Sequence, residues 1–157
     1  MGNGIAQVAA CAGYEVTMID IEQSFVERGM EAIGNSLGKL VAKERMSQRE
    51  ADSALARVRA STDKGAAAEC DLLVEAIPEI PELKFSTFAE MDGICKPETI
   101  LASNTSSISI DEIAAATSRP DRVIGMHFMN PVPIMRLVEI INGTQTSDEV
   151  NAAVVRA

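Results

Sequence analysis

An α/β fold with a mainly parallel sheet is the architecture this 157-residue sequence predicts. Three observations carry that expectation. Short apolar runs of strand character alternate with longer segments of helical period. The apolar content is aliphatic, with aromatics at only 3 % of residues, which suits helices packed on an aliphatic sheet better than a β-sandwich. Capping and turn residues also fall where one pattern gives way to the other.

Taken in order, residues 2–12 read as a helix of small residues ending at Gly13, a residue suited to a C-terminal cap. Residues 15–19 follow as a buried strand closed by Asp20. Residues 22–59 read as two long helices with a break near Met46, where Ser47 followed by Glu50 fits a capping box. This helical pair is an insertion on the alternating plan. Short strands are expected at 60–62, 70–77 and 99–103, with a helix over 81–91 between the last two. A short helix at 110–116 carries Asp111 and Glu112 in its first turn. Strands at 123–127 and 135–141 follow, and Ser147 caps a last helix that still runs at Ala157. The chain shows neither an internal repeat nor a low-complexity tract.

Composition narrows the function classes. Hydrophobic residues at 46 % and charged residues at 24 % describe an ordinary globular domain. A net charge of −9 argues against nucleic acid, whose phosphates need a basic footprint. The charge is uneven, however. Residues 36–64 hold seven basic side chains against four acidic ones, which leaves this segment at +3 and the remainder at −12. A solvated helical face explains that pattern, and so does a landing site for an anionic ligand. Cys11, Cys70 and Cys95 are scattered and odd in number, as expected of reduced thiols in a cytoplasmic compartment. A single histidine and the lack of a CxxC pair make a metal site unexpected. No apolar run has membrane-spanning length, so no membrane partner is expected.

Two regions carry chemistry. Gly2, Gly4, the small-residue helix after them and Asp20 match the second half of a dinucleotide fingerprint. A helix N-terminus offers free N–H groups and positive dipole to a pyrophosphate, and glycine lets the backbone come close. An acid about 20 residues on accepts ribose hydroxyls and disfavours a 2′-phosphate. The strand that normally precedes such a helix is not in this sequence, so the chain is expected to belong to a longer protein.

The second region holds His127, the only histidine, in Gly125-Met126-His127-Phe128-Met129-Asn130-Pro131-Val132-Pro133. Histidine titrates near neutrality and can take and return a proton. Glu139 lies in the apolar run Leu137-Val138-Glu139-Ile140-Ile141, and a buried carboxylate needs a partner. If the prolines turn the chain back, the two side chains meet, and a carboxylate-oriented imidazole is the usual general base. A lone histidine is, by itself, more often structural than catalytic.

Four stretches, Gly2-Asn3-Gly4-Ile5-Ala6-Gln7, Val74-Glu75-Ala76-Ile77, Ala102-Ser103-Asn104-Thr105-Ser106-Ser107 and His127-Phe128-Met129-Asn130-Pro131-Val132-Pro133, change that balance. With them the whole chain resembles the L-3-hydroxyacyl-CoA dehydrogenases, in particular the bacterial 3-hydroxybutyryl-CoA branch. The resemblance implies a Rossmann-type, doubly wound, mainly parallel sheet with the helical pair at about 22–59 as an insertion. It also implies that the first strand and a C-terminal helical, dimer-forming domain lie outside residues 1–157. It implies NAD as cofactor and an acyl-CoA substrate, with Gly2 in the phosphate turn and Asp20 on the adenosine ribose. Glu79 and Lys84 would contact the cofactor, Asn130 would lie beside the nicotinamide, and Ser106 would serve both substrate and nicotinamide. Ser36 and Lys43 would touch the CoA moiety. His127 would be the base and Glu139 its orienting partner.

Departures from the family pattern are small: Met129 stands where Phe is frequent, and Pro78 and Pro81 flank Glu79. Other readings stay open on the residues alone. Residues 103–107 could be a plain strand-to-helix connection, Lys84 a solvated helix residue, and Arg136 or Arg122 the partner of Glu139. The chain could equally be a non-catalytic, crystallin-like dinucleotide-binding protein, or one segment of a multifunctional fatty-acid oxidation protein. Residues 1–157 alone are expected to show negligible dehydrogenase activity.

Overall fold

A computed structural model describes every residue from Met1 to Ala157. The chain is α/β, in the order α1 (Gly2–Cys11), β1 (Val16–Ile19), α2 (Gln23–Ala42), α3 (Gln48–Ala56) and β2 (Val58–Ser61), then β3 (Leu72–Glu75), α4 (Pro81–Ile94), β4 (Ile100–Ser103), α5 (Ile110–Ala114), β5 (Val123–Phe128), β6 (Val138–Asn142) and α6 (Asp148–Arg156). Short 3-10 turns occupy Lys64–Ala67 and Pro120–Arg122. The chain divides into two compact units, one of residues 1–66 and 130–136, the other of residues 67–129 and 137–157.

In the first unit β1 and β2 form a parallel pair, Val16 facing Val58 and Ile19 facing Ser61. Their core is aliphatic: Ala6 and Ala10 of α1 meet Ile33 and Leu37 of α2, Ala51 and Ala54 of α3, and Val58. Alanines on α1 let the neighbouring helices approach closely. Helix α1 ends as its last residues dictate. Gly13 adopts φ +103°, its N–H donates to the Ala10 carbonyl and the Tyr14 N–H to that of Ala9, which is the Schellman arrangement. Arg57 Nη1 also donates to the Ala10 carbonyl, 3.4 Å away.

The helical pair is present, and Ser47 and Glu50 form the reciprocal capping box at the start of α3. It is shorter than expected. Helix α3 stops at Ala56 and β2 starts at Val58, so Val58 and Arg59 are strand and not helix. Burial of β-branched Val58 and its pairing with Val16 override the helical period there.

In the second unit the strand order is β3-β4-β5-β6, parallel except for the antiparallel edge strand β6. Leu101, Ala102, Val123 and Ile124 are wholly buried on the two central strands. Each fully buried Val, Leu or Ile contributes roughly 1.5–3 kcal/mol, which makes this the rigid platform beneath the strand ends. Pro81 opens α4 at a position where its missing N–H costs nothing. Ser147 caps α6 by accepting from the Val150 N–H. Strand β6 begins at Val138, later than the run from Met135 suggests, because residues 130–136 belong with the first unit.

Candidate active site

Strand β5 sets the position of His127. Val123 to Met126 are buried, and the imidazole follows near the strand end, 22 % exposed. The antiparallel register places Glu139 of β6 directly opposite. Nδ1 of His127 donates to Oε2 of Glu139 over 2.8 Å. The imidazole is thereby held at one ring nitrogen, and Nε2 is the nitrogen left to face a reacting group. The pair faces a pocket of about 370 Å³ lined by Ser106, Ser107, Ile141 and Gly143 among others.

Glu139 is not the buried carboxylate its apolar neighbours suggest. Its side chain is 53 % exposed, because β6 is an edge strand and the strand alternates so that Glu139 and Ile141 share its open face. Its ion-pair partner is His127, and neither Arg136 nor Arg122 takes that place; Arg122 instead donates to the Glu98 carbonyl.

The turn after β4 forms another wall of the pocket. Glu79 gathers it: Oε1 accepts from the Thr105 hydroxyl at 2.5 Å, the Ser106 N–H at 2.9 Å and the Ser107 N–H at 3.2 Å. Partial burial pushes the Glu79 carboxyl up, but hydrogen bonds from Thr105 and Ser106 and the Lys84 ammonium outweigh it and hold it at about 2. Ser106 itself is exposed with its hydroxyl 3.4 Å from the same carboxylate oxygen. Residues 103–107 are thus more than a plain connection: the turn is folded around one carboxylate.

Lys84 is not a solvated helix residue. It is 1 % exposed, and its ammonium contacts Glu75 Oε1 at 2.7 Å, Glu79 Oε2 at 3.3 Å and the Ile77 carbonyl at 3.3 Å. With every contact spent inside the protein, Lys84 has no open face toward a ligand, and the exposed member of this group is Glu79.

The remaining site candidates lie in the first unit. Gly2 opens α1, and no side chain caps that end, so its first amides are available to an anion. Asp20 stands just past β1, exposed, one carboxylate oxygen accepting from the Ile21 N–H at 2.8 Å. These donors and this acceptor fit the phosphate and ribose ends of a dinucleotide. Ser36 and Lys43 are seven residues apart on α2 and at its C-terminal cap, two turns along one face. Ser36 is half-buried and Lys43 exposed, and Asn130 is also exposed.

Sequence reading missed Glu75, Ser103, Thr105 and Asn104. Glu75 is 4 % exposed and accepts from Lys84, from the Ile77 N–H and from the buried Ser103 hydroxyl, each at 2.7 Å. Asn104 accepts the Phe128 N–H through Oδ1 at 2.8 Å, beside His127. The signal for Glu75 was available: a carboxylate inside an apolar strand, the same pattern that singled out Glu139. A further concavity of about 450 Å³ at the α2–α3 turn, lined by Arg45 and Met46, holds none of these residues.

The chain thus carries a strand-end histidine paired with a carboxylate and, separately, an uncapped glycine-opened helix start of the kind that suits an anion. The family model for the 3-hydroxyacyl-CoA dehydrogenase NAD binding domain matches residues 1–157. The chain belongs to that family. It is 52 % identical over 149 residues to a probable 3-hydroxybutyryl-CoA dehydrogenase of Deinococcus radiodurans, covering 95 % of this chain and 53 % of the relative. It is 40 % identical over 155 residues to the fatty acid oxidation complex subunit alpha of a Psychrobacter species, 99 % of this chain and 22 % of that one. The crystal structure of (S)-3-hydroxybutyryl-CoA dehydrogenase from Ralstonia eutropha superposes with a TM-score of 0.97 at 48 % identity, over 99 % of this chain and 55 % of that chain. The chain therefore spans about half the length of the 3-hydroxybutyryl-CoA dehydrogenases it matches.

Proposed function

We propose that the full-length protein oxidises (S)-3-hydroxyacyl-CoA to 3-oxoacyl-CoA, or runs the reverse reduction, on short acyl chains such as hydroxybutyryl. The observation that carries this reading is the His127–Glu139 pair, 2.8 Å apart at the edge of a pocket that also presents Ser106. Removing two hydrogens from a secondary alcohol requires a proton acceptor at oxygen and a hydride acceptor at carbon. Bound NAD supplies the hydride acceptor. His127 Nε2 takes the hydroxyl proton, and Glu139 stabilises the imidazolium that results. In the reductive direction the same nitrogen returns the proton. The Ser106 hydroxyl donates to the reacting oxygen, and Asn130 is read beside the nicotinamide, as the family pattern implies.

Cofactor and substrate ends follow from the donor set. Gly2 and the first amides of α1 hold the pyrophosphate, Asp20 accepts from the adenosine ribose, and Glu79 contacts the cofactor. Ser36 and Lys43 engage the CoA moiety. The element orders β1-α2-α3-β2 and β3-α4-β4-α5-β5 support a Rossmann-type doubly wound sheet with a helical-pair insertion. The full-length protein is read as a homodimer, as the family pattern implies.

The test follows NADH absorbance with acetoacetyl-CoA for the full-length protein and its His127→Ala variant. The variant is expected to lose about 10²–10⁴-fold in turnover while still binding NADH. Equal activity in the two proteins, or NADH binding by both with turnover in neither, removes the dehydrogenase reading and leaves the non-catalytic one.

A further inference from the structure

Glu75 has no part in the chemistry proposed above, yet it is the one buried carboxylate of the chain. It closes β3, lies 4 % exposed, and divides its two oxygens between three donors. From it two routes run to the same turn. In one, Oε2 accepts the hydroxyl of wholly buried Ser103, whose oxygen in turn accepts the Thr105 N–H at 3.2 Å. In the other, Oε1 holds the Lys84 ammonium, which holds Glu79, which accepts from Thr105, Ser106 and Ser107. The Glu75 carbonyl also accepts the Asn104 N–H at 2.8 Å, and Asn104 holds the Phe128 N–H next to His127.

A buried ion pair is a poor way to stabilise a fold, since apolar residues of similar volume often do as well or better. What the pair provides is geometric definition. Every buried side-chain polar atom of this network is partnered; one route ends on the buried Thr105 N–H and the other on the amides and hydroxyls of exposed Ser106 and Ser107, and all three residues line the pocket.

We infer that Glu75 is a positioning residue: through Lys84 and Ser103 it fixes Glu79 and the backbone of residues 105–107 in the arrangement that the cofactor and Ser106 chemistry needs. This rests on the dehydrogenase reading and adds to it a residue that touches neither substrate nor cofactor.

Two variants of the full-length protein separate this role from a purely structural one. Glu75→Gln keeps the shape but leaves the buried Lys84 ammonium short of charge compensation. Glu75→Gln/Lys84→Met removes both charges, so folding no longer suffers from an unpaired buried ion. Three quantities are read: melting temperature, the NADH dissociation constant, and KM for NAD against kcat. Glu75→Gln is expected to lower the melting temperature and to weaken NADH binding and raise KM for NAD about 10-fold, with kcat changed less. The double variant is expected to recover the melting temperature but not the cofactor affinity. Recovery of both together, an unchanged NADH dissociation constant in Glu75→Gln, or failure of both variants to fold overturns the inference, because the network then serves the fold alone. Absence of acetoacetyl-CoA turnover in the wild-type protein sinks the dehydrogenase reading instead, and is seen before any variant is made.

Discussion

At the scale of single residues, the site depends on how carboxylates are partnered. Glu139 shares an exposed face with its histidine, Glu75 is sealed against Lys84, and Glu79 lies between these extremes, gripping the 105–107 turn. Glu79 has the clearest pH consequence. Its folded value, about 2, lies below the ordinary carboxylate value of 4.5, so its ionised form stabilises the folded protein. That contribution is present in full above pH 4.5 and is lost as pH falls from 4.5 through 2. Glu79→Gln is therefore expected to melt below wild type at pH 7, with the gap narrowing as pH falls from about 4.5. Melting curves of both proteins from pH 7 to the lowest pH at which each stays folded provide the check, and a constant gap would contradict it. The residue-level reading of the sequence anticipated the pairing of His127 with Glu139 but mistook the environment of Glu139. Burial is decided by which strand lies at the sheet edge, and a run of apolar neighbours does not carry that information.

At the scale of elements, helix limits that rest on local chemistry were legible. Ser47 with Glu50, Ser147, Pro81 and Gly13 each act within a few residues, and each marks a real helix end. The start of β2 was not legible, because Val58 joins a strand only through Val16, more than forty positions earlier. The network around Glu75 was hidden for the same reason, since its partners come from β3, α4 and β4. The β5–β6 pairing carries an element-scale prediction. It brings Glu139 to His127 by placing Gly125 opposite Ile141, and that approach is close. A Cβ on Gly125 would lie 2.9 Å from Cβ of Ile141 and 3.0 Å from Cδ1 of Ile110. All three residues sit in or against the sheet and cannot all yield. Gly125→Ala is expected to cost about 1–3 kcal/mol through overpacking. Denaturant titration measures this as a lower midpoint, and an unchanged midpoint would show that the strands have room to separate.

At the scale of the whole molecule, two properties matter: its share of the relatives' length and its charge distribution. Because the chain spans about half of the 3-hydroxybutyryl-CoA dehydrogenases it matches, residues 1–157 expressed alone are expected to turn over acetoacetyl-CoA at least about 100-fold more slowly than the full-length protein. Side-by-side NADH assays decide this, and comparable rates would mean that these residues hold the complete catalytic apparatus. The charge distribution leads to a second expectation. The net charge is −9, yet residues 36–64 stand at +3, with Lys39, Lys43, Arg45 and Arg49 exposed from the end of α2 to the start of α3. A CoA thioester carries several phosphate charges, which the acidic remainder repels and this segment attracts. Such long-range attraction is screened beyond about 10 Å at 0.1 M salt, so KM for acetoacetyl-CoA should rise with ionic strength while kcat changes little. Lys43→Ala should raise KM at low salt and flatten its salt dependence, leaving KM for NAD as it was. An equal effect of Lys43→Ala on both KM values would mean that the basic segment is only a solvated face and that CoA is recognised elsewhere.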